Sequence, residues 1–228
     1  MKNFVDVLKK CELFKGIAEP ELLALLERLP ARQKSFRKNG FIFNSGDKTG
    51  LVGIVLSGVV HVIHEDFWGR RKIVSRIESG GIFGESFACA EIERLPVSVM
   101  SVEETVVLFI DIKQILNPPS PASAFYNRLA GNLAVLMAKK NIILIRKLEN
   151  VTQTTTREKL LSYLSEEAKT AGKSTFSIPF NREELADYLS VERSAMSAEL
   201  SRMRADGLLL YRKNHFQLLD NDEGITVN

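Results

Sequence analysis

The sequence predicts a mixed α+β protein: a short helical segment, an all-β region, one long helix and a helical C-terminal region that ends in a β-hairpin. Two observations carry this prediction. From Ala31 to Asp111 the chain consists of short segments rich in Val, Ile and Phe that are separated by glycines, whereas residues 122–151 hold no proline and one glycine. The first pattern is typical of a β-sandwich or small barrel, and the second of a continuous helix.

Length and composition narrow the class of protein. The 228 residues are enough for two domains, and 45% hydrophobic with 26% charged residues is the balance of a soluble globular protein. No apolar run is long enough to span a membrane, and the first residues lack the apolar stretch of a secretory signal. We therefore expect a cytoplasmic protein with no membrane partner.

The helices before the β region and the hairpins within it follow from local pattern. Leucines at helical spacing predict short helices within residues 4–30; they are Leu22, Leu25, Leu26 and Leu29. Residues Asp66 to Gly69 are predicted to form a hairpin tip, because Gly69 can adopt a positive φ and charged residues flank it.

The long helix carries an apolar pattern along about 45 Å, at 1.5 Å per residue. Its first apolar side chains follow steps of four and three, which is typical of a coiled-coil seam; they are Phe125, Leu129, Leu133 and Leu136. Lys140 interrupts this pattern. The pattern predicts a homodimer held by this helix, and the alternative is a helix that packs wholly on its own β domain.

The C-terminal region is predicted to hold two short helices joined by a tight turn. Asn181 followed by Glu184 forms a capping box at the start of the helix Arg182 to Leu189, and a second helix runs from Glu192 to Asp206 before Gly207. A hairpin that turns at Lys213 and Asn214 follows, and a helix over 156–171 with a strand over 175–180 precedes them.

The second of these helices has one apolar side and one side of short polar residues. Met196, Leu200 and Met203 share the first side, and opposite them Arg193 stands beside small residues. A face of this kind suits the major groove of double-stranded DNA. The candidate DNA-binding residues are Arg182, Arg193, Ser194, Ser197, Ser201 and Arg202. Arg193 is expected to contact a base, the alternatives being a phosphate or a neighbouring acid such as Glu192.

The segment ELADYLSVERSAMSAELSRMRADGLL, residues Glu184 to Leu209, resembles the winged helix-turn-helix of the Crp/Fnr family. The strings NSGD, VLSG and GIFGE resemble turns of that family's cyclic-nucleotide-binding β-roll, and GESFACA and TTREKLL are similar to strings of members from anaerobic Gram-positive bacteria. Two positions depart from the family pattern. Ser190 replaces the turn glycine, and Glu199 replaces an apolar residue, so we expect that side of the helix to be less buried.

The resemblance implies three parts: a β-roll (double-stranded β-helix or jelly roll) sensor over 1–117, a dimerisation helix over 118–151 and a winged helix-turn-helix over 152–228. It implies a homodimeric transcription regulator that responds to an effector and binds a two-fold symmetric operator, with RNA polymerase as a further partner if it activates. The charge of the DNA-binding segment gives no support of its own, since residues 181–213 carry six basic and six acidic residues. The alternative is therefore a cyclic-nucleotide-binding adaptor without sequence-specific DNA binding.

The resemblance also implies an effector site at Gly84, Glu85 and Arg94, with Ile142 and Ile143 contributed by the long helix. In cyclic-AMP-binding relatives the glutamate binds the ribose hydroxyl and the arginine binds the phosphate. Here Leu95 and Pro96 follow the arginine, so a hydroxyl and a backbone N–H are both missing. We expect a small-molecule effector other than cyclic AMP, of unknown identity. In the alternative, Glu85 and Arg94 pair with each other.

Other chemistries find little support in the residues. An iron–sulfur sensor needs four cysteine ligands, and the chain has Cys11 and Cys89, which we expect to be free thiols with a redox role left open. His61 and His64 are three apart on a strand and face opposite sides, so they do not converge on one metal. No metal or cofactor is predicted. The sequence also lacks a P-loop, HExxH and GxSxG, so no enzyme is predicted.

Overall fold

A computed structural model describes residues 4–28, 31–116 and 124–219. The chain divides into two compact units, Met1–Asn141 and Ile142–Asn228. Leu29, the predicted boundary at 117/118 and the first two residues of the predicted long helix lie outside the described residues. The three-part division of the chain stays a prediction.

The first unit begins with short helices, as the leucine spacing predicts. They are α1 (Val5–Lys10), a 3-10 turn (Glu12–Phe14) and α2 (Glu19–Arg28). Leu22, Leu25 and Leu26 are buried, and so is Cys11. These helices therefore belong to the core of the unit.

Eight strands form the β region, as the alternating apolar segments predict. They are β1 (Arg32–Phe36), β2 (Phe41–Phe43), β3 (Leu51–Ser57), β4 (Val59–Glu65), β5 (Arg71–Glu78), β6 (Ile82–Phe83), β7 (Ser98–Ser101) and β8 (Thr105–Asp111). They pair antiparallel in two four-stranded sheets, ordered β1-β8-β3-β6 and β2-β7-β4-β5. The predicted hairpin tip joins β4 to β5, and Gly69 has a φ of 75° there.

Two short helices accompany the sheets, and the first corrects the expectation of an uninterrupted β region. They are α3 (Glu85–Cys89) and α4 (Lys113–Leu116). Helix α3 begins directly after Gly84, whose φ of 84° turns the chain out of β6. A glycine is required at this turn, because a Cβ would also lie 3.2 Å from the carbonyl oxygen of Leu51.

The long helix α5 (Ala124–Val151) is present, but the predicted seam is wrong. Leu129, Leu133 and Leu136 are buried in the same hydrophobic cluster as α1, α2 and the β3–β8 sheet of their own chain. The apolar pattern therefore marks the contact of α5 with the β-roll of its own chain. The sequence did not reveal this, because periodicity does not distinguish a partner chain from the helix's own domain.

In the described part of the chain, the second unit contains the end of α5 from Ile142 onwards, three further helices and a three-stranded sheet. The helices are α6 (Thr156–Ala171), α7 (Arg182–Leu189) and α8 (Arg193–Ala205), and the strands are β9 (Thr175–Ser177), β10 (Leu209–Arg212) and β11 (His215–Leu218), in the sheet order β10-β11-β9. The capping box of Asn181 and Glu184 is formed. Ser190 ends α7 with a φ of 53°, in the left-handed region that glycine adopts most readily. This conformation explains why the family pattern has a glycine at this position.

The predicted apolar side of α8 is confirmed. Met196, Leu200 and Met203 are completely buried, as are Leu185 and Leu189 of α7. The two helices thus pack as a helix-turn-helix, and β10 and β11 form a hairpin behind them. Within the described ranges, none of the helices has the length and hydrophobicity that a membrane span requires.

Candidate nucleic-acid interface and ligand cassette

The start of α8 is fixed by its own first residues. The Glu192 carboxylate accepts a hydrogen bond from the backbone N–H of Ala195 at 3.0 Å and another from the Ser194 hydroxyl. These bonds, that of the hydroxyl first, lower the pKa of Glu192, so the N-terminus of α8 carries an ionised cap.

The guanidinium of Arg193 is exposed and makes no hydrogen bond or ion pair with any residue in the described part of the chain. No hydrogen bond joins Arg193 to Glu192, whose carboxylate accepts from Ala195 and Ser194, although the charge of Arg193 contributes to the lowered pKa of Glu192. Arg193 is therefore available to an external partner in the first turn of α8.

The outer face of α8 is formed by short side chains. Ser194, Ala198 and Ser201 are exposed, whereas Ser197 is half-buried. The Ser201 hydroxyl bonds to the carbonyl oxygen of Ser197 at 3.1 Å and lies 3.3 Å from the hydroxyl of Tyr211 on the hairpin. Such a face lets the helix backbone come close to a partner surface.

Glu199 corrects the expectation that this side of α8 is less buried. Its side chain is 13% exposed, and its two oxygens pair with Arg157 of α6 and with Arg202, each at 3.0 Å. Arg157 also pairs with Asp206, just beyond α8. The carboxylate is buried because it has charged partners, which a sequence pattern does not reveal.

Arg182 is placed differently from the other candidates. Its guanidinium lies over the rings of Tyr211 and Phe216, 4.7 and 5.0 Å from their centroids. Its two terminal nitrogens are buried and have no hydrogen-bond partner among the described residues, and this burial lowers its pKa. The observed contacts position the hairpin against α7, and contact of Arg182 with DNA stays a prediction.

Sequence reasoning missed two features of the hairpin. Tyr211 contacts both Arg182 and Ser201, and the hairpin turn exposes Arg212 and Lys213, the latter with a φ of 56°. The two basic residues at the hairpin turn were visible in the sequence. Only the structure places Arg212 and Lys213 at the end of the β10–β11 hairpin that packs on α8.

The second candidate site is the segment Gly84–Glu85. The Glu85 side chain is almost completely buried, and one of its oxygens, Oε1, accepts hydrogen bonds from the Lys140 ammonium at 2.8 Å and the Ser86 hydroxyl at 3.2 Å. Lys140 also donates to the carbonyl oxygen of Ile82 at 2.5 Å. From the sequence, Lys140 was identified only as an interruption of the apolar pattern of the long helix.

The alternative pairing of Glu85 with Arg94 is wrong. Arg94 is exposed and donates to the carbonyl oxygen of Gly46 at 3.1 Å. Leu95, which follows it, is buried in the core between the sheets, and its backbone bonds to Gly46 and Asp47. Ile142 and Ile143 lie in the second compact unit and are about half exposed, and their role stays a prediction.

Comparison with known proteins matches both sites to protein families. The model of the cyclic nucleotide-binding domain matches residues 33–117, and that of the Crp-like helix-turn-helix domain matches residues 158–223. The chain therefore contains a cyclic nucleotide-binding domain and a Crp-like helix-turn-helix domain.

Solved structures of other proteins have the same fold. The c-di-GMP responsive global regulator CLP of Xanthomonas campestris is 20% identical, with a TM-score of 0.70 over 88% of this chain and 98% of that one. A CooA mutant of Carboxydothermus hydrogenoformans is 20% identical, with a TM-score of 0.65 over 86% of each chain. FixK2 of Bradyrhizobium japonicum is 19% identical, with a TM-score of 0.64 over 83% and 93%. No curated protein matches the chain significantly.

The histidines and cysteines, as possible metal ligands, all lie in the described part of the chain. No group of three or more His, Cys, Asp or Glu side chains in the described ranges could hold a metal ion. His61 is buried and His64 is exposed, and burial, followed by the charge of Arg76, lowers the pKa of His61 to about 4. Burial raises the pKa of Cys11 to about 11 and also raises that of Cys89, so both thiols are held protonated.

Proposed function

We propose that the chain acts as a homodimeric, effector-responsive transcription regulator that binds a two-fold symmetric operator through α8. The exposed guanidinium of Arg193 in the first turn of α8 carries this proposal. An arginine at this place on a recognition helix can donate two hydrogen bonds to the O6 and N7 atoms of a guanine.

Small side chains and a basic hairpin support the DNA-binding role. Ser194 and Ala198 allow the helix to enter a groove, and Ser201 presents a hydroxyl at the same face. Arg212 and Lys213 at the hairpin turn are exposed and suited to the phosphate backbone. Arg202, also exposed, is held by Glu199 and is proposed to contact phosphate rather than a base.

The proposed dimer uses the side of α5 that lies opposite its core contact. At 100° per residue, the exposed residues of this side share one stripe, and they are Gly131, Ala134, Val135, Ala138, Ile142 and Ile145. We name it the outer stripe. Its apolar side chains are about half exposed, and the small residues at its start allow two helices to approach closely. We propose that a second copy of α5 packs against the outer stripe, since two helices whose apolar residues are spaced three and four apart can pack along these stripes.

The effector is proposed to be a small molecule other than cyclic AMP. Leu95 is committed to the protein core and Pro96 has no backbone N–H, so neither can hold a phosphate. RNA polymerase is a further proposed partner if the protein activates transcription, and similarity to regulators of anaerobic Gram-positive bacteria stays a prediction.

A gel-shift experiment with full-length protein separates this proposal from the alternative, an adaptor that does not bind DNA specifically. The labelled probes are random duplexes, and unlabelled duplex competitor is added in excess. A regulator keeps a fraction of the labelled duplexes bound in the presence of competitor, and this bound fraction falls as the salt concentration is raised. An adaptor leaves the pool unshifted, which would contradict the proposal.

A further inference from the structure

Lys140 carries a charge into the contact between α5 and the β-roll. Its Nζ lies 2.8 Å from Glu85 Oε1 and 2.5 Å from the carbonyl oxygen of Ile82. The side chain of Glu85 is 3% exposed and that of Lys140 is 31% exposed. Since a buried carboxylate is unfavourable without a hydrogen-bonded partner, this pair is part of the packing of α5.

The two oxygens of Glu85 have different environments. Oε1 accepts from Lys140 and from Ser86, whereas Oε2 is buried and has no hydrogen-bond partner among the described residues. A ligand that uses this carboxylate as an acceptor must bring a hydroxyl or amine donor to one of the two oxygens. The Lys140 ammonium already supplies that donor to Oε1, and Oε2 is enclosed by protein atoms, so neither oxygen is open to a ligand.

We propose that Lys140 occupies the expected effector site at Gly84–Glu85 from within the chain: it takes the place of a ligand hydroxyl on Glu85 and fastens α5 to the β-roll with no ligand bound. Lys140 therefore determines specificity, because it excludes ribose-containing ligands from Glu85 independently of Leu95 and Pro96. This inference rests on the proposed effector response, with Gly84–Glu85 as the effector site, and not on DNA binding.

The charge of Lys140 and its length have separable consequences. Lys140→Met keeps an unbranched apolar stem and removes the ammonium, so Glu85 loses its partner. Lys140→Arg keeps a cation at the same position. Glu85→Gln removes the charge of the acceptor, and in the double variant with Lys140→Met no buried charge is left at the pair.

Calorimetric titration of the full-length variants with cyclic AMP as the probe tests the exclusion. Lys140→Met is expected to bind cyclic AMP at least tenfold more tightly than the unmodified protein. Lys140→Arg is expected to bind as weakly as the unmodified protein, and the double variant should lose the gain. Equal affinity for the unmodified protein and Lys140→Met, including binding to neither, would overturn the proposal, and so would a gain that persists without Glu85.

Hydrogen exchange tests the fastening in the same proteins without any ligand. Amides of residues 82–89 and 136–143 should exchange at least tenfold faster in Lys140→Met than in Lys140→Arg, and equal rates would contradict the proposal. If Lys140→Met does not fold, Lys140→Gln replaces it, since it retains a neutral donor and should give an intermediate exchange rate. Failure of these tests leaves DNA binding untouched, because that is measured separately by gel shift.

Discussion

Glu199 of α8 and Arg157 of α6 form an ion pair, with 3.0 Å between Oε1 and Nε, at a site where the glutamate side chain is 13% exposed. Arg157 reaches Asp206 as well, so a single guanidinium holds both the middle of α8 and the residue beyond its end. The orientation of the proposed recognition helix thus depends on charge pairing in addition to its apolar side.

The first prediction is that Glu199→Ala lowers the free energy of unfolding by about 1–3 kcal/mol, because Arg157 loses its partly buried partner. Urea denaturation at neutral pH measures this loss. Arg202→Ala is the matched control, since it removes the exposed partner of the same carboxylate and should cost less than about 1 kcal/mol. An equal loss in both variants would show that the buried pair has no special role.

The second prediction concerns the outer stripe. Ile145→Glu should convert the protein to monomers, because it places a charge between two apolar stripes. Sedimentation velocity measures the change. Leu144→Glu is the matched control: it introduces the same charge at an exposed apolar residue on another side of α5 and should leave the dimer intact. A dimer that persists in Ile145→Glu would contradict the placement of the interface.

The sequence alone was enough to predict most of the architecture. Short segments rich in Val and Ile, separated by glycines, predicted the β region, and Asn181 with Glu184 predicted the start of α7, because these signals act over a few residues. The apolar side of α8 followed in the same way from Met196, Leu200 and Met203.

What the sequence did not reveal depends on contacts between distant residues. The 55 positions that separate Glu85 from Lys140 hide their ion pair, and the same holds for Glu199 with Arg157. The apolar pattern at Leu133 and Leu136 was visible, but its partner could have been either another chain or the β-roll. Only the three-dimensional packing distinguishes these possibilities.

The third prediction follows from His61, whose pKa is lowered to about 4 from 6.5 by burial. The unfolded chain therefore binds this proton more tightly than the folded one. The contribution of His61 to stability is fully present above pH 6.5 and is lost as pH falls towards 4, by about 3 kcal/mol in total.

Urea denaturation between pH 4 and 7 measures this contribution. His61→Gln should flatten the decline in stability over that range, whereas replacement of the exposed His64 by Gln should leave the decline as it is in the unmodified protein. If His61→Gln and the unmodified protein lose stability in parallel, another group is responsible for the decline.

The fourth prediction assigns base recognition to Arg193. On an operator selected from random duplexes, Arg193→Ala should lose about 1–3 kcal/mol of binding free energy and become indifferent to the base at one position of each half-site. Fluorescence anisotropy with single-base variants of the operator measures both effects. Ser201→Ala should instead weaken binding to all sequences alike, and uniform weakening by Arg193→Ala would exclude base recognition by this residue.

Selection of bound duplexes from a random library by the full-length protein tests the central claim most directly, namely that two copies of α8 read DNA. The account predicts enrichment of an inverted repeat whose half-sites are centred about one helical turn, roughly 10–10.5 base pairs, or a multiple of it apart. A library that shows no enriched motif after selection, or a single motif without two-fold symmetry, would contradict the account.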